Sequence, residues 1–281
     1  MAFVTRMLAA WRQNQAHYLA EGLGIAFFVL CAGLLTMLLE HPASAVHQAL
    51  PGSAWLRRGL LGAAMALVLA SIVYSPWGKR SGAHINPAVT LAFWQLGKIR
   101  TPDALWYGLA QVAGAIGAAQ LLKLTLGEFY AHPAVRHTVT EPADLPMGDG
   151  IAFAAEFVIS FLLMWVLLYS LHSQALKEKT GWLLAALLAV YILFETPLSG
   201  MSLNPARTLG TAVAAGQYES VWLYWVAPPA AMWLATILFR RFYRGQELAC
   251  AVLAGCAPVP GSLYFQDSEE PPQYPDKQAA R

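Results

Sequence analysis

Charge and cysteine are what this 281-residue sequence has least of. Charged residues are 12% of it, about half the share of an ordinary soluble domain, while 57% are hydrophobic, so the chain reads as a polytopic membrane protein in a lipid bilayer. A formal net charge of +2 gives no cationic surface with which to argue for nucleic acid as a partner. Three cysteines, Cys31, Cys250 and Cys256, lack metal-ligand spacing, and their odd count gives no disulfide framework. His84 has no second ligand at useful spacing, so neither a metal nor another cofactor is expected. No nucleophile–base pair stands out, which argues against an enzyme. A cleavable signal peptide is also not evident, because Arg6, Arg12, Gln13, Asn14 and Gln15 precede the first long apolar run.

What the sequence does have is a repeated phrase. Ser81-Gly82-Ala83-His84-Ile85-Asn86-Pro87-Ala88-Val89-Thr90-Leu91 returns as Ser199-Gly200-Met201-Ser202-Leu203-Asn204-Pro205-Ala206-Arg207-Thr208-Leu209, so the chain has two related halves. Each copy reads as a helix start, with Asn as N-cap and Pro at the first helical position, where its missing N–H is no loss. The helices predicted to follow run from Pro87 to about Leu96 and from Pro205 to about Ala215, with Gly97 and Gly216 as C-caps. Roughly ten residues at about 1.5 Å each cover half of a hydrocarbon core about 30 Å thick. Each is therefore a half-helix, and two entering from opposite sides would meet at the midplane.

Six longer apolar runs are predicted to span the membrane, over about 18–39, 59–74, 104–122, 151–171, 181–198 and 221–239. The longest connection is 127–148. Each half reads span, span, half-helix, span. Three spans per half require the second half to be inverted, and inverted repeats with broken helices at the midplane are a transport arrangement. The predicted fold is thus an all-α membrane protein with six transmembrane helices plus two half-helices. It forms one channel unit over 1–256 with halves at about 15–125 and 150–243. The polar stretch 257–281 is expected to be a disordered cytoplasmic tail. Its Leu263-Tyr264-Phe265-Gln266 partly matches a protease-tag sequence, and the tail carries no part of the fold prediction. Lys and Arg gather on one face, at Arg6, Arg12, Lys79, Arg80, Lys98, Arg100, Lys177, Lys179, Arg240, Arg241 and Arg244, against Arg57, Arg58, Lys123 and Arg136 on the other. That excess places both termini in the cytoplasm. The approach loops 82–85 and 200–203 leave backbone at membrane depth that only protein or a wet cavity can satisfy, so their carbonyls are expected to line a pore.

The paired Asn-Pro-Ala motifs resemble those of the aquaporins and aquaglyceroporins, the major intrinsic proteins, over roughly residues 15 to 243. The resemblance implies a pore in each subunit of a homotetramer in the cell (plasma or inner) membrane. It implies a midplane formed by Asn86, Pro87, Ala88, Asn204, Pro205 and Ala206, and makes Arg207 the arginine of the outer constriction. Glu21 and Glu156 match carboxylates that hold the pore loops, consistent with their cost inside apolar runs. His84 matches a loop histidine and Gln111 a polar residue of the third span. Counting back without gaps from the two asparagines puts Ala66 and Ile192 in the constriction beside Met201 and Arg207. Strict water channels carry Phe, His and a small residue or Cys at the first three positions, so this ring departs from them towards small neutral solutes. Against that, Thr208 is not the Asp that follows the arginine in glycerol facilitators, and Ala212 with Tyr224-Trp225 is water-type.

The reading is a passive channel for water, with small uncharged solutes as further permeants, that excludes protons and ions. Two alternatives are a glycerol- or urea-type facilitator of the same fold and an ion-coupled secondary transporter using Glu21 and Glu156.

Overall fold

The structure is a computed structural model that describes residues 2–243, 248, 250–257 and 259–264. It contains eleven α-helices: α1 (Ala2–Glu40), α2 (Ala45–Ala49), α3 (Ala54–Tyr74), α4 (Pro76–Ser81), α5 (Pro87–Gln95), α6 (Thr101–Ala131), α7 (Gly148–His172), α8 (Thr180–Phe194), α9 (Thr196–Ser199), α10 (Pro205–Ala215) and α11 (Val221–Phe242). Among the described residues there is no strand.

Five helices, α1, α3, α6, α7 and α11, are long and apolar enough to cross a bilayer. On α1 the exposed Leu19, Leu23, Phe27, Leu34 and Leu38 recur near helical periodicity and form a greasy outer stripe. In water such a stripe is a liability; in lipid it is the solvent-facing side.

α1 begins sixteen residues before the predicted span. Its polar lead-in is rich in good helix formers, and Asn14 is anchored by its amide donating to Asp103 Oδ1 at 2.8 Å. Tyr18 donates to the same oxygen at 2.6 Å. The fifth predicted span is broken. α8 has 15 residues, about 22 Å of helix, and α9 takes over after Glu195. Pro197 explains the break: it lacks an N–H and sits in the first turn of α9, where none is needed.

The halves correspond as α1 to α7, α3 to α8, α5 to α10 and α6 to α11. Packing follows that symmetry: α1 lies on α6, α7 on α11, and α3 on its own counterpart α8. The half-helices are exchanged, with α10 against α6 and α5 against α11. The α1–α6 approach is close: a Cβ on Gly114 would fall 2.0 Å from the Gly22 carbonyl oxygen. Any larger residue there would force the two helices apart.

Two expectations about the C-terminus change. Cys250 and Cys256 form a disulfide, leaving Cys31 as the free thiol. Their spacing closes a short loop that sequence arithmetic on three cysteines did not single out. The tail expected to be disordered from 257 is placed at 259–264, where Leu263 N–H donates to Arg80 O and Tyr264 reaches His84. Residues 265–281 of that tail lie outside the described residues.

Candidate pore

Both half-helices begin as the repeat predicts. Asn86 is the extended N-cap of α5, and its Oδ1 accepts from Ala88 N–H at 2.8 Å. Asn204 caps α10, its Oδ1 accepting from Ala206 N–H at 3.0 Å and Arg207 N–H at 3.3 Å. The amide nitrogens then cross between halves. Asn86 Nδ2 donates to Leu203 O at 2.8 Å, and Asn204 Nδ2 donates to Ile85 O at 2.8 Å. An amide NH₂ has two donors, so each asparagine keeps one N–H outside this bond. The tips of the two half-helices are therefore clamped together, and both positive dipole ends point at one place.

Each approach loop hangs on a buried carboxylate. Glu21 accepts from Ser81 Oγ (2.8 Å), His84 N–H (3.0 Å), Ile85 N–H (2.5 Å) and Gln111 Nε2 (2.8 Å). Glu156 accepts from Ser199 Oγ (2.8 Å), Ser202 N–H (2.6 Å) and Leu203 N–H (2.8 Å). The described peptides are trans, with none cis, so each carbonyl points opposite to the N–H of its peptide. With the amides of 84, 85, 202 and 203 turned to the glutamates, the carbonyls of Ala83, His84, Met201 and Ser202 face the other way. Holding this shape requires φ > 0 at Ala83, Ile85, Met201 and Leu203, as well as at Gly82 and Gly200. L-residues in that region cost on the order of 1–3 kcal/mol each and persist only where the surroundings over-determine them. Here the carboxylate bonds do so.

A cavity of about 570 Å³ opens onto this loop from the side of the longest connection, lined by Leu61, Met65, Leu188, Ile192, Met201 and Arg207 among others. Arg207 Nη1 is buried with no hydrogen-bond partner among the described residues. Glu40, Arg58, Arg136 and Glu141 also line this cavity. Three of the four expected constriction residues, Ile192, Met201 and Arg207, thus share one cavity. Ala66 does not join them: Met65 lines the wall with Leu61, one turn apart on the same face of α3, whereas Ala66 lies about 100° around and packs on the core. Pro87, Ala88, Pro205 and Ala206 sit in the first turns behind the asparagines. His84 is buried, with Nδ1 3.2 Å from Thr90 Oγ1 and Nε2 2.9 Å from Ala251 O.

Sequence reasoning missed several supports. Tyr107 Oη donates to Ser81 O at 2.6 Å and Tyr224 Oη donates to Ser199 O at 2.5 Å, a pair related by the repeat. Matching tyrosines, 26 residues after Ser81 and 25 after Ser199, were a usable signal. Glu195 is buried behind Ser199, with a carboxyl oxygen in hydrogen-bond contact with the Ser199 hydroxyl. That contact has no counterpart in the first half, where Trp77 holds the matching position.

Comparison with known proteins agrees with this geometry. The profile of the major intrinsic protein family matches residues 7–239. Aquaporin NIP1-4 of Oryza sativa subsp. japonica is 36% identical over 212 residues, covering 75% of this chain and 70% of that protein. Aquaporin NIP6-1 of Arabidopsis thaliana is 37% identical over 199 residues, 70% of this chain and 61% of its own length. Several other curated relatives are matched over only about half their length, such as aquaporin NIP1-2 of Oryza sativa subsp. japonica at 54%. The crystal structure of the aquaglyceroporin from Plasmodium falciparum superposes with a TM-score of 0.64 at 18% identity, covering 81% of this chain and 94% of that one, a likeness of fold. A profile spanning most of the sequence, laid over two clamped Asn-Pro-Ala helices, makes this chain a member of the major intrinsic protein family.

Proposed function

We propose that this protein is a passive channel for water, with small uncharged solutes as further permeants, that excludes protons and ions. The observation that carries the reading is the crossed pair of asparagine bonds, Asn86 to Leu203 and Asn204 to Ile85. Each leaves one amide N–H at the meeting point of two positive helix ends. A water there donates to neither asparagine and accepts from both. Its neighbours are then oriented in opposite senses, which interrupts a proton wire, and the positive ends raise the barrier to cations. Arg207, with an Nη1 unpartnered among the described residues, supplies a donor and a further positive charge at the outer constriction. Glu21 and Glu156 act as loop supports, since their oxygens are already engaged by loop donors. His84 is a loop-packing residue.

Neutral solutes beyond water are favoured by a specific feature. The cavity that holds Arg207 has an apolar part, Leu61, Met65, Leu188, Ile192 and Met201, beside polar Thr36, Thr138, Thr196 and Ser202. A polar group beside an apolar wall suits a small molecule with both kinds of surface. The chain would act as a homotetramer with a pore in each subunit, in the plasma or inner membrane, with both termini cytoplasmic.

The test is stopped-flow light scattering of proteoliposomes, with and without a dithiol reductant, under sucrose, glycerol and urea gradients. Fast shrinkage in sucrose with no collapse of a proton gradient supports the reading. Solute uptake with slow water flux would replace it by a glycerol- or urea-type facilitator. Saturable uptake driven by the proton gradient would replace it by a coupled transporter.

A further inference from the structure

One end of the approach loop in the first half is covered by the chain's own C-terminal segment. Leu253 N–H donates to Gly82 O at 3.0 Å, and Ala251 O lies 2.9 Å from His84 Nε2. Gly82 and His84 belong to the loop that hangs on Glu21, whose outward carbonyls face the lumen on the channel reading. Contact is close: a Cβ on Gly82 would lie 2.6 Å from Ala251 O and 2.8 Å from the Tyr264 ring. On its other side the segment meets the turn before α8, where a Cβ on Gly255 would lie 2.7 Å from Lys177 O. Further along, Ser262 Oγ and Leu263 N–H both donate to Arg80 O at 3.3 Å. Ala251, Val252 and Leu253 are each at most 4% exposed.

The segment therefore bridges the turn 177–179 and the first-half loop, whose outward carbonyls face the lumen on the channel reading. Its bridging residues, Ala251 to Gly255, are the ones enclosed by the Cys250–Cys256 disulfide. A closed ring of this size holds them in one shape; an open chain would sample many.

We propose that residues 250–257 and 259–264 plug the pore at the first-half loop, and that the Cys250–Cys256 bond holds the plug closed. The proposal rests on the channel reading above. A dithiol releases it: the reductant gives up two electrons and two protons, the S–S bond becomes two thiols, and the reductant closes its own disulfide. With this mouth in the cytoplasm, where thiols are kept reduced, the channel is open by default and closes on oxidation.

The test is water flux in proteoliposomes for the unmodified chain, oxidised and dithiol-reduced, and for Leu253→Asp, Tyr264→Ala and the double variant Cys250→Ser/Cys256→Ser. The oxidised chain is expected to conduct about tenfold more slowly than the reduced chain or Leu253→Asp, the result of shifting a closed-to-open ratio by one order of magnitude. The double variant should be fast and indifferent to reductant. The unmodified chain before and after reduction gives the answer even if a variant fails to fold. Equal flux in both redox states and in every folded variant makes the segment a structural clasp and overturns the plug while leaving the channel intact. Flux no faster than empty vesicles in every form, including the reduced one, removes the channel reading and the plug with it.

Discussion

Asn204 of the second half is bonded to Ile85 of the first, amide nitrogen to carbonyl oxygen, at 2.8 Å. This contact is both a structural tie between repeats and the fixing point for the other N–H of the amide. Asn204→Asp replaces the donor by a carboxylate facing a carbonyl oxygen. The lost bond and stranded acceptor cost roughly 1–3 kcal/mol, so the melting temperature in detergent should fall. Proton and cation leak should rise, because a negative charge now stands where two positive helix ends converged. Parental stability together with parental ion exclusion would show that Asn204 touches neither the partner loop nor the permeant.

Glu156 offers a sharper separation of support from transport. It takes three donors, from Ser199, Ser202 and Leu203. Glu156→Ala strands the Ser202 and Leu203 amides inside protein, while Ser199 keeps Glu195, at a combined cost of roughly 2 kcal/mol or more. Loss of folded protein on size exclusion is the expected result. A proton-relay role predicts something else: a well-folded Glu156→Ala protein that has lost only gradient-driven uptake.

How much of this was legible in the sequence depends on whether a residue type advertises its role. Asn86 and Asn204 were legible because capping chemistry and repetition point the same way. Glu21 and Glu156 were legible because a carboxylate in an apolar helix requires partners. The positive φ of Ala83, Ile85, Met201 and Leu203 was not, since nothing in an L-residue side chain announces a left-handed backbone; only Gly82 and Gly200 hinted at it. Met65 was hidden for a different reason. A gap-free count from Asn86 lands on Ala66, one residue and about 100° around α3 from the Met65 that lines the cavity. The break between α8 and α9 was visible in principle at Pro197, but the apolar run on either side read as one span.

Arg207 brings a charge to the cavity, its Nη1 unpaired among the described residues. Arg207→Leu removes the charge and the donor while keeping much of the bulk. Glycerol and urea permeation should increase several-fold, and small cations should begin to leak, as the outer electrostatic barrier goes. Conductance assays with a solute panel check this. If the variant keeps the parental solute ranking and stays tight to cations, the constriction lies elsewhere.

The register on α3 can be decided by two substitutions side by side. Met65 lines the cavity with Ile192 and Met201, whereas Ala66 packs on the core. Met65→Ala shortens the wall at the constriction, so glycerol and urea uptake should rise relative to water, at a stability cost of about 2–5 kcal/mol for a buried large-to-small change. Ala66→Ser adds one small polar atom outside the lumen and should leave the solute ranking as it was. The opposite pattern, a changed ranking in Ala66→Ser and none in Met65→Ala, would restore the gap-free count and rotate α3 by one residue. Flux ratios, not absolute rates, are the quantity to compare: a destabilised variant lowers the number of working channels for every solute alike, while a remodelled constriction changes the ratio between solutes.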